Sequence, residues 1–357
     1  MKFTVPRSDL AAALSAVAHA APTRATLPIL ASVRMQCDGK LLHLACTDLD
    51  VTLETAVAVV GAKPGATCVP AKLLTAIVKE LPDADAVMSV DGGKLRIQSG
   101  AVSFDLLAVD VDEFPPVPAV GERGTLIDSA ALLGALKCVA CAQSDDESRY
   151  VLNAVRIEPK GDALAIVATD GRRMAYCGMP VESDLAATIP TKGVAELVRM
   201  LTGAADARLS ANGTMFRAVC GLTALTCKLI DGTYPKWQAV IPDSHARTAT
   251  INRAELLDAI DRAGLISKDG VAPATLSFAR GKLTIRACAA EVGESTEVIR
   301  AKYDGDAAEI TVSPDFMADP MRALACDEVV IGFDGPENAL TMRADALVYV
   351  LMPMRVK

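Results

Sequence analysis

The sequence is poor in aromatic residues, histidine and positive charge, and it has no long hydrophobic run. Aromatic residues make up 4% of 357, and no apolar stretch approaches the roughly 18 residues a membrane helix needs, which argues against a membrane-spanning class. The net charge of −8 excludes a protein that coats nucleic acid with its whole surface, because such binding relies on lysine and arginine neutralising phosphates. Any DNA contact must then be local. Ten cysteines are too few for a small disulfide scaffold, and Cys46, Cys220, Cys227 and Cys288 alternate with aliphatic residues as buried small hydrophobes do. Cys138 and Cys141 form the single C-x2-C. With no second pair and three histidines (His19, His43, His245), neither a metal nor another cofactor is expected.

What is present is apolar core material: 51% hydrophobic residues over a length suited to two or three domains. The chain even closes on an apolar stretch, ALVYVLMPMRVK at 346–357, where termini are usually polar. The opening stretch MKFTVPRSDLAAALSAVAHAAP imitates a secretory signal, with an early lysine, an alanine-rich run and an A-x-A-like AHA. Its pattern recurs twice downstream, however, which makes it architecture.

Val5, Leu10, Leu14 and Val17 match Ile127, Leu132, Leu136 and Val139 at an offset of 122, and Ile251, Leu256, Ile260 and Ala263 at a further 124. Each copy predicts a short strand, a turn and a helix with apolar residues at i, i+4 and i+7. LLHLACTDLD (41–50) returns as ALAIVATDGR (163–172), with Thr47-Asp48 becoming Thr169-Asp170, and faintly as KLTIRACAAE (282–291). VPAKLLTAIVKEL (69–81) returns as IPTKGVAELVRML (189–201) and VSPDFMADPMRAL (312–324), each with proline at a helix start. Connectors rich in proline, glycine and charge, FPPVPAVGERG (114–124) and IPDSHAR (241–247), separate the copies. Three α+β domains follow, at 1–121, 122–244 and 245–357, each with two helices packed on antiparallel sheet.

TLPILASV (26–33), ATDGRRMA (168–175), LIDGTYPKW (229–237) and the terminal VYVLMPMR, in this order within a threefold repeat, make the whole chain resemble the β sliding clamps of bacterial DNA polymerase III. The resemblance implies a cytoplasmic, non-catalytic processivity factor: a head-to-tail homodimeric ring of six like domains, helices lining the hole, encircling duplex DNA. Its implied partners are the polymerase III alpha subunit, the clamp loader, and other polymerases and repair proteins that dock through short peptides. It places Arg24, Lys72, Tyr150 and Lys192 at the DNA. The peptide cleft would comprise Leu152, Thr169, Gly171, Arg172, Arg173, Met174, Pro235 and Val240 on one side, and Val350, Met352, Pro353, Met354 and Arg355 on the other. Phe104 and Leu106 on a first-domain edge strand would pack against Leu265 and Ile266 of the next subunit.

The residue chemistry adds its own expectations. A ring that holds DNA by topology needs positive charge on its inner face alone, for which the helix residues Lys72, Lys79, Lys137, Lys192, Arg199 and Arg322 are candidates; ordinary solvated helix charge is the plainer alternative. The helix at 253–263 sets Arg253 and Arg262 against Glu255, Asp258 and Asp261, so the third domain should add little. Asp145, Asp146 and Glu147 put carboxylates beside Tyr150. LVYVLM should close the last sheet as a strand, with Met352 and Met354 either core residues of an edge strand or adaptable cleft walls. A peptide anchoring a leucine and a phenylalanine gains roughly 1.5–3 kcal/mol per buried side chain before ordering costs, giving micromolar, exchangeable binding. Ala239 stands where clamps usually have arginine, Arg172 where histidine is common, and Pro320 should remove a backbone bond from its helix and bend it. Two rivals stay open: a clamp paralogue that replaces a housekeeping clamp or resists its inhibition, and a hydrolytic enzyme using Asp170 as acid or base. Against the second, Asp-Gly is first a turn signal, and Thr-Asp recurs in the first repeat.

Overall fold

In all three repeats a strand passes straight into a helix, with no separate turn. A computed structural model describes residues 1–24, 27–121, 123–266, 272–290 and 292–355; Thr26 of TLPILASV, Glu122 of the first connector, Glu291, Val356 and Lys357 lie outside them. Among the described residues the helices are α1 (Arg7–Val17), α2 (Ala71–Glu80), α3 (Ser129–Ala140), α4 (Thr191–Leu201), α5 (Arg253–Gly264) and α6 (Pro314–Ala323). Strands Lys2–Pro6, Thr125–Asp128 and Arg247–Asn252 lead into α1, α3 and α5. All twelve repeat positions, from Val5 to Ala263, are buried, so the sequence period is the core stripe.

Contacts divide the chain into two compact units, residues 1–130 with 195–229, and residues 131–194 with 230–357. The first unit holds a five-stranded antiparallel sheet in the order 60–63, 2–6, 85–91, 94–99, 102–107, with α1 packed on α2. It also holds an eight-stranded sheet in which strand Val51–Ala58 of the first repeat pairs with Thr223–Lys228 of the second. The second unit repeats the arrangement. A four-stranded sheet (293–300, 282–289, 274–279, 308–312) accompanies an eight-stranded one, and α5 packs on α6. There, Arg173–Met179 of the middle repeat pairs with Leu347–Leu351 at the end of the chain.

The C-terminal strand is therefore interior, flanked by Arg173–Met179 and Leu340–Ala344, which corrects the edge-strand alternative. Its ladder stops at Leu351, one residue before Met352. Cys288 is another correction. It is exposed, because alternation along Lys282–Ala289 turns it to the outer face with Arg286, while Cys46, Cys220 and Cys227 are buried and all ten cysteines are free thiols.

Pro320 does not end α6, which runs on to Ala323. An interior proline leaves the carbonyl four residues earlier, here Phe316, without its helical donor. The Tyr349 hydroxyl fills that vacancy, donating to the Phe316 carbonyl at 2.7 Å. A hydrogen bond from the C-terminal strand thus stands in for the one the proline removed.

The Thr-Asp pair makes the same turn in both repeats. Thr47 Oγ1 donates to the Val51 carbonyl and Thr169 Oγ1 to that of Arg173, while Asp48 and Asp170 each accept two backbone N–H groups through Oδ1. The residue after each aspartate has positive φ, 79° at Leu49 and 85° at Gly171. Glycine takes that conformation without strain, and leucine is the unusual occupant.

Candidate functional site

The cleft grows from this second Thr-Asp turn. The turn presents Met174 at the start of strand Arg173–Met179, directly opposite Val350 in the neighbouring ladder, so the two side chains share a face. Past the end of the ladder the Met352 N–H still bonds the Arg172 carbonyl at 2.9 Å, which holds Met352 against the turn. Trp237, at the head of a short 3-10 helix (Trp237–Val240), packs with Met174, Tyr234 and Val350 as the floor. A cleft of about 360 Å³ results, lined by Leu152, Thr169, Gly171, Arg172, Arg173, Met174, Pro235, Trp237, Val240, Val350 and Met352.

Ten of the thirteen expected cleft residues are brought together, from four separated stretches of chain. Pro353, Met354 and Arg355 are outside the lining. The Met354 N–H donates to the Thr311 carbonyl at 2.8 Å, which fastens the tail along strand Ala308–Val312. Met352 is 45% exposed, so it is a wall and not core. The turn's own needs consume Asp170: Oδ1 takes the N–H groups of Arg172 and Arg173, and Oδ2 takes Arg173 Nε at 3.0 Å. A free acid or base is not what this carboxylate offers.

Trp237 was not among the expected cleft residues, although GTYPKW contains it. As the single tryptophan it has no periodic partner to mark it. It stacks on Tyr176 with ring centroids 4.8 Å apart, and Lys160 Nζ lies over both rings at 4.3 and 5.0 Å. Its Nε1–H donates to Glu158 Oε1 at 2.8 Å, joined by Gln238, while Arg156 holds Oε2 at 2.9 Å. Burial alone would raise the Glu158 carboxyl; the hydrogen bonds from Trp237 and Arg156, the Arg156 charge and Gln238 outweigh it and hold the group below its ordinary 4.5. Stability tied to this carboxylate is therefore complete above pH 4.5 and lost as pH falls through the lower native value. Denaturant unfolding of wild type and Glu158→Gln across pH should show a constant gap near neutrality that narrows below pH 4.5.

The expected DNA residues fall into two local groups. In the first unit Arg24 is exposed, and Lys72 Nζ donates to Thr23 Oγ1 at 2.6 Å, so α2 delivers a lysine to the loop that carries Arg24. In the second unit Thr191, at the start of α4, bonds the Asn153 carbonyl through its N–H and its hydroxyl, each at 3.0 Å. That tie sets Lys192 near the loop bearing Tyr150, which is 59% exposed. Asp146 in this loop caps Ser148 and faces Arg149 at 3.6 Å, so one of the three carboxylates is compensated internally. Among the inner-face candidates, Lys72, Lys79, Lys137 and Lys192 are exposed, whereas Arg199 pairs with Glu196, and Arg322 with Asp261 at 2.7 Å and Asp319 at 3.0 Å. Those two arginines supply little outward field. In α5, Arg262 pairs with Glu297 and Arg253 bonds the Cys326 and Met321 carbonyls, in line with a third repeat that adds little positive potential.

At the expected subunit contact, alternation puts Phe104 and Leu106 on the face of Ile97 and Leu95, along an edge strand. Phe104 is 38% exposed and Leu265 78%, but Leu106 is buried in its own sheet. The apolar surface free at that edge is thus Phe104, with Leu107 on the opposite face.

Three tandem strand–helix repeats, two helices each on antiparallel sheet, define the DNA-clamp class of subunit. Family models of the DNA polymerase III beta subunit match its N-terminal domain at residues 1–118, its central domain at 126–236 and its C-terminal domain at 238–355. The beta sliding clamp of Escherichia coli K12 is 30% identical over 366 residues, covering 100% of both chains. Among solved structures, the DNA polymerase III subunit beta of Pseudomonas aeruginosa superposes with a TM-score of 0.95 at 30% identity, and a sliding clamp of Bartonella birtlesii bound to griselimycin with 0.94 at 31%, both over 100% of each chain. The chain belongs to the DNA polymerase III beta subunit family, the beta sliding clamps.

Proposed function

We propose that this chain is the sliding clamp of a bacterial replicative polymerase: two copies close head to tail around duplex DNA and tether the polymerase, which docks a short peptide in the cleft. The observation that carries the reading is the full-length family match together with a cleft assembled from residues 152, 169–174, 235–240 and 350–352. Topological retention suits the charge pattern, because a net charge of −8 with a few local lysines lets DNA slide where tight phosphate contacts would act as brakes. Arg24, Lys72, Tyr150 and Lys192 make light backbone contacts, and Phe104 meets Leu265 and Ile266 of the second copy in a heterologous contact that closes at two subunits. The domain boundaries at 121/122 and 244/245 fall in the connectors. No described helix is long and apolar enough to cross a membrane, and the proposed site of action is the cytoplasm with the replication machinery. The paralogue and enzyme readings are not favoured by full-length similarity to curated beta sliding clamps.

The test is loading by the cognate clamp loader onto nicked circular DNA, followed by gel filtration. Retention should persist on the circle and vanish after linearisation, with free protein eluting at twice 37.3 kDa. Equal retention on linear DNA with open ends, or a monomer at working concentration, would sink the ring. Met352→Ala should weaken peptide capture and leave the dimer intact; loss of both together would make Met352 structural.

A further inference from the structure

Arg172 occupies the lip where the apolar cleft meets a second pocket of about 200 Å³, and it lines both. Its backbone is fixed from two sides, the N–H by Asp170 Oδ1 at 2.8 Å and the carbonyl by the Met352 N–H at 2.9 Å. The side chain is exposed, and among the described residues no carboxylate lies within ion-pair distance of its guanidinium. The neighbouring acids are engaged elsewhere. Asp170 holds Arg173 and two backbone N–H groups, and Asp146 holds Ser148 and Arg149. Asp145 lines the second pocket but not the cleft.

The charge that a peptide seated in the cleft meets first is therefore an uncompensated guanidinium beside Met352 and Gly171. A guanidinium offers a planar fork of donors that fits a carboxylate with two parallel hydrogen bonds, and apolar walls reduce the screening of such a pair. A neutral neighbour leaves those donors to water, and a lysine meets repulsion at the lip before any attraction from Asp145. We infer that Arg172 makes this cleft select partner peptides that carry an aspartate or glutamate beside their apolar anchors. This rests on the peptide-docking reading above and names the partner chemistry for it.

The test uses the full-length protein and short labelled peptides, capped at both ends, that share a leucine and a phenylalanine anchor and differ at one flanking residue: glutamate, glutamine or lysine, placed on either side of the anchors. Fluorescence polarisation at low salt should rank glutamate over glutamine by about two- to fivefold in Kd on one side, with lysine weakest, and the gap should close at high salt. Arg172→Ala should abolish the ranking, Arg172→Lys should keep part of it, and Arg172→Glu should favour the lysine peptide. Equal affinity for glutamate and glutamine peptides in the wild type, or a preference that survives in Arg172→Ala, overturns the inference while the cleft reading stands. Failure of every peptide to bind overturns the cleft reading and the inference with it.

Discussion

Arg173→Ala is expected to cost about 3–5 kcal/mol of unfolding free energy, the scale of removing one partner from a buried ion pair. Arg173 is the centre of a network. Its Nε pairs with Asp170 at 3.0 Å, its Nη1 with Asp319 at 2.6 Å, and its guanidinium lies 4.0 Å from the centre of the Phe316 ring. Phe316 is the residue whose carbonyl receives the Tyr349 hydroxyl, and Asp319 also receives Arg322, so one side chain joins the middle-repeat turn to α6 and the C-terminal strand. Alanine leaves Asp170 without its side-chain cation and Asp319 with Arg322 alone. Arg173→Met separates the contributions: if lost charge dominates, methionine restores little, and if methionine restores most of the stability the ion pairs were not the cause. Peptide affinity should fall with stability in Arg173→Ala, because Met174 and Met352 are held by the backbone of the same turn.

Trp237→Ala should cost a similar amount, about 3–5 kcal/mol, because a large buried aromatic is removed and the cleft floor cannot collapse to fill its space. The loss has separable parts. Trp237→Phe keeps most of the packing against Met174, Tyr176 and Val350 but deprives Glu158 of its indole donor, a cost of about 1–3 kcal/mol for a group left short of a partner. Circular dichroism during denaturant unfolding is the measurement, since the variants lack the single tryptophan that would report by fluorescence. A loss under about 1 kcal/mol for alanine would mean the floor repacks, against the close packing expected of such a core.

Much of this was legible before any coordinates. The helical positions at offsets 122 and 124 are the buried faces of α1, α3 and α5, because a helix that must cover a sheet keeps an apolar stripe at its own period. The Thr-Asp repeat announced one turn used twice, and its local hydrogen bonds are short-range enough to be written in a few residues. Phe104 and Leu106 read correctly as one face of a strand. Their different exposure did not, because it depends on where the covering layer ends.

Other features needed tertiary structure. Strands 51–58 and 223–228, and strands 173–179 and 347–351, pair across about 170 residues, and period-2 alternation says which face is buried but not which distant strand lies alongside. That second pairing sets Met174 against Val350 and makes the cleft. The same holds for charge: a lysine or arginine on a helix reads as positive until a carboxylate from elsewhere is placed beside it, as with Arg322 and Asp261. By itself the sequence determined the repeat, the core stripes and the turns, since each follows from local periodicity and local hydrogen bonding. Tertiary structure alone decided the floor residue Trp237, the rescue of Pro320 by Tyr349 and the lack of a carboxylate partner for Arg172 among the described residues, because each depends on which remote side chain arrives within bonding distance.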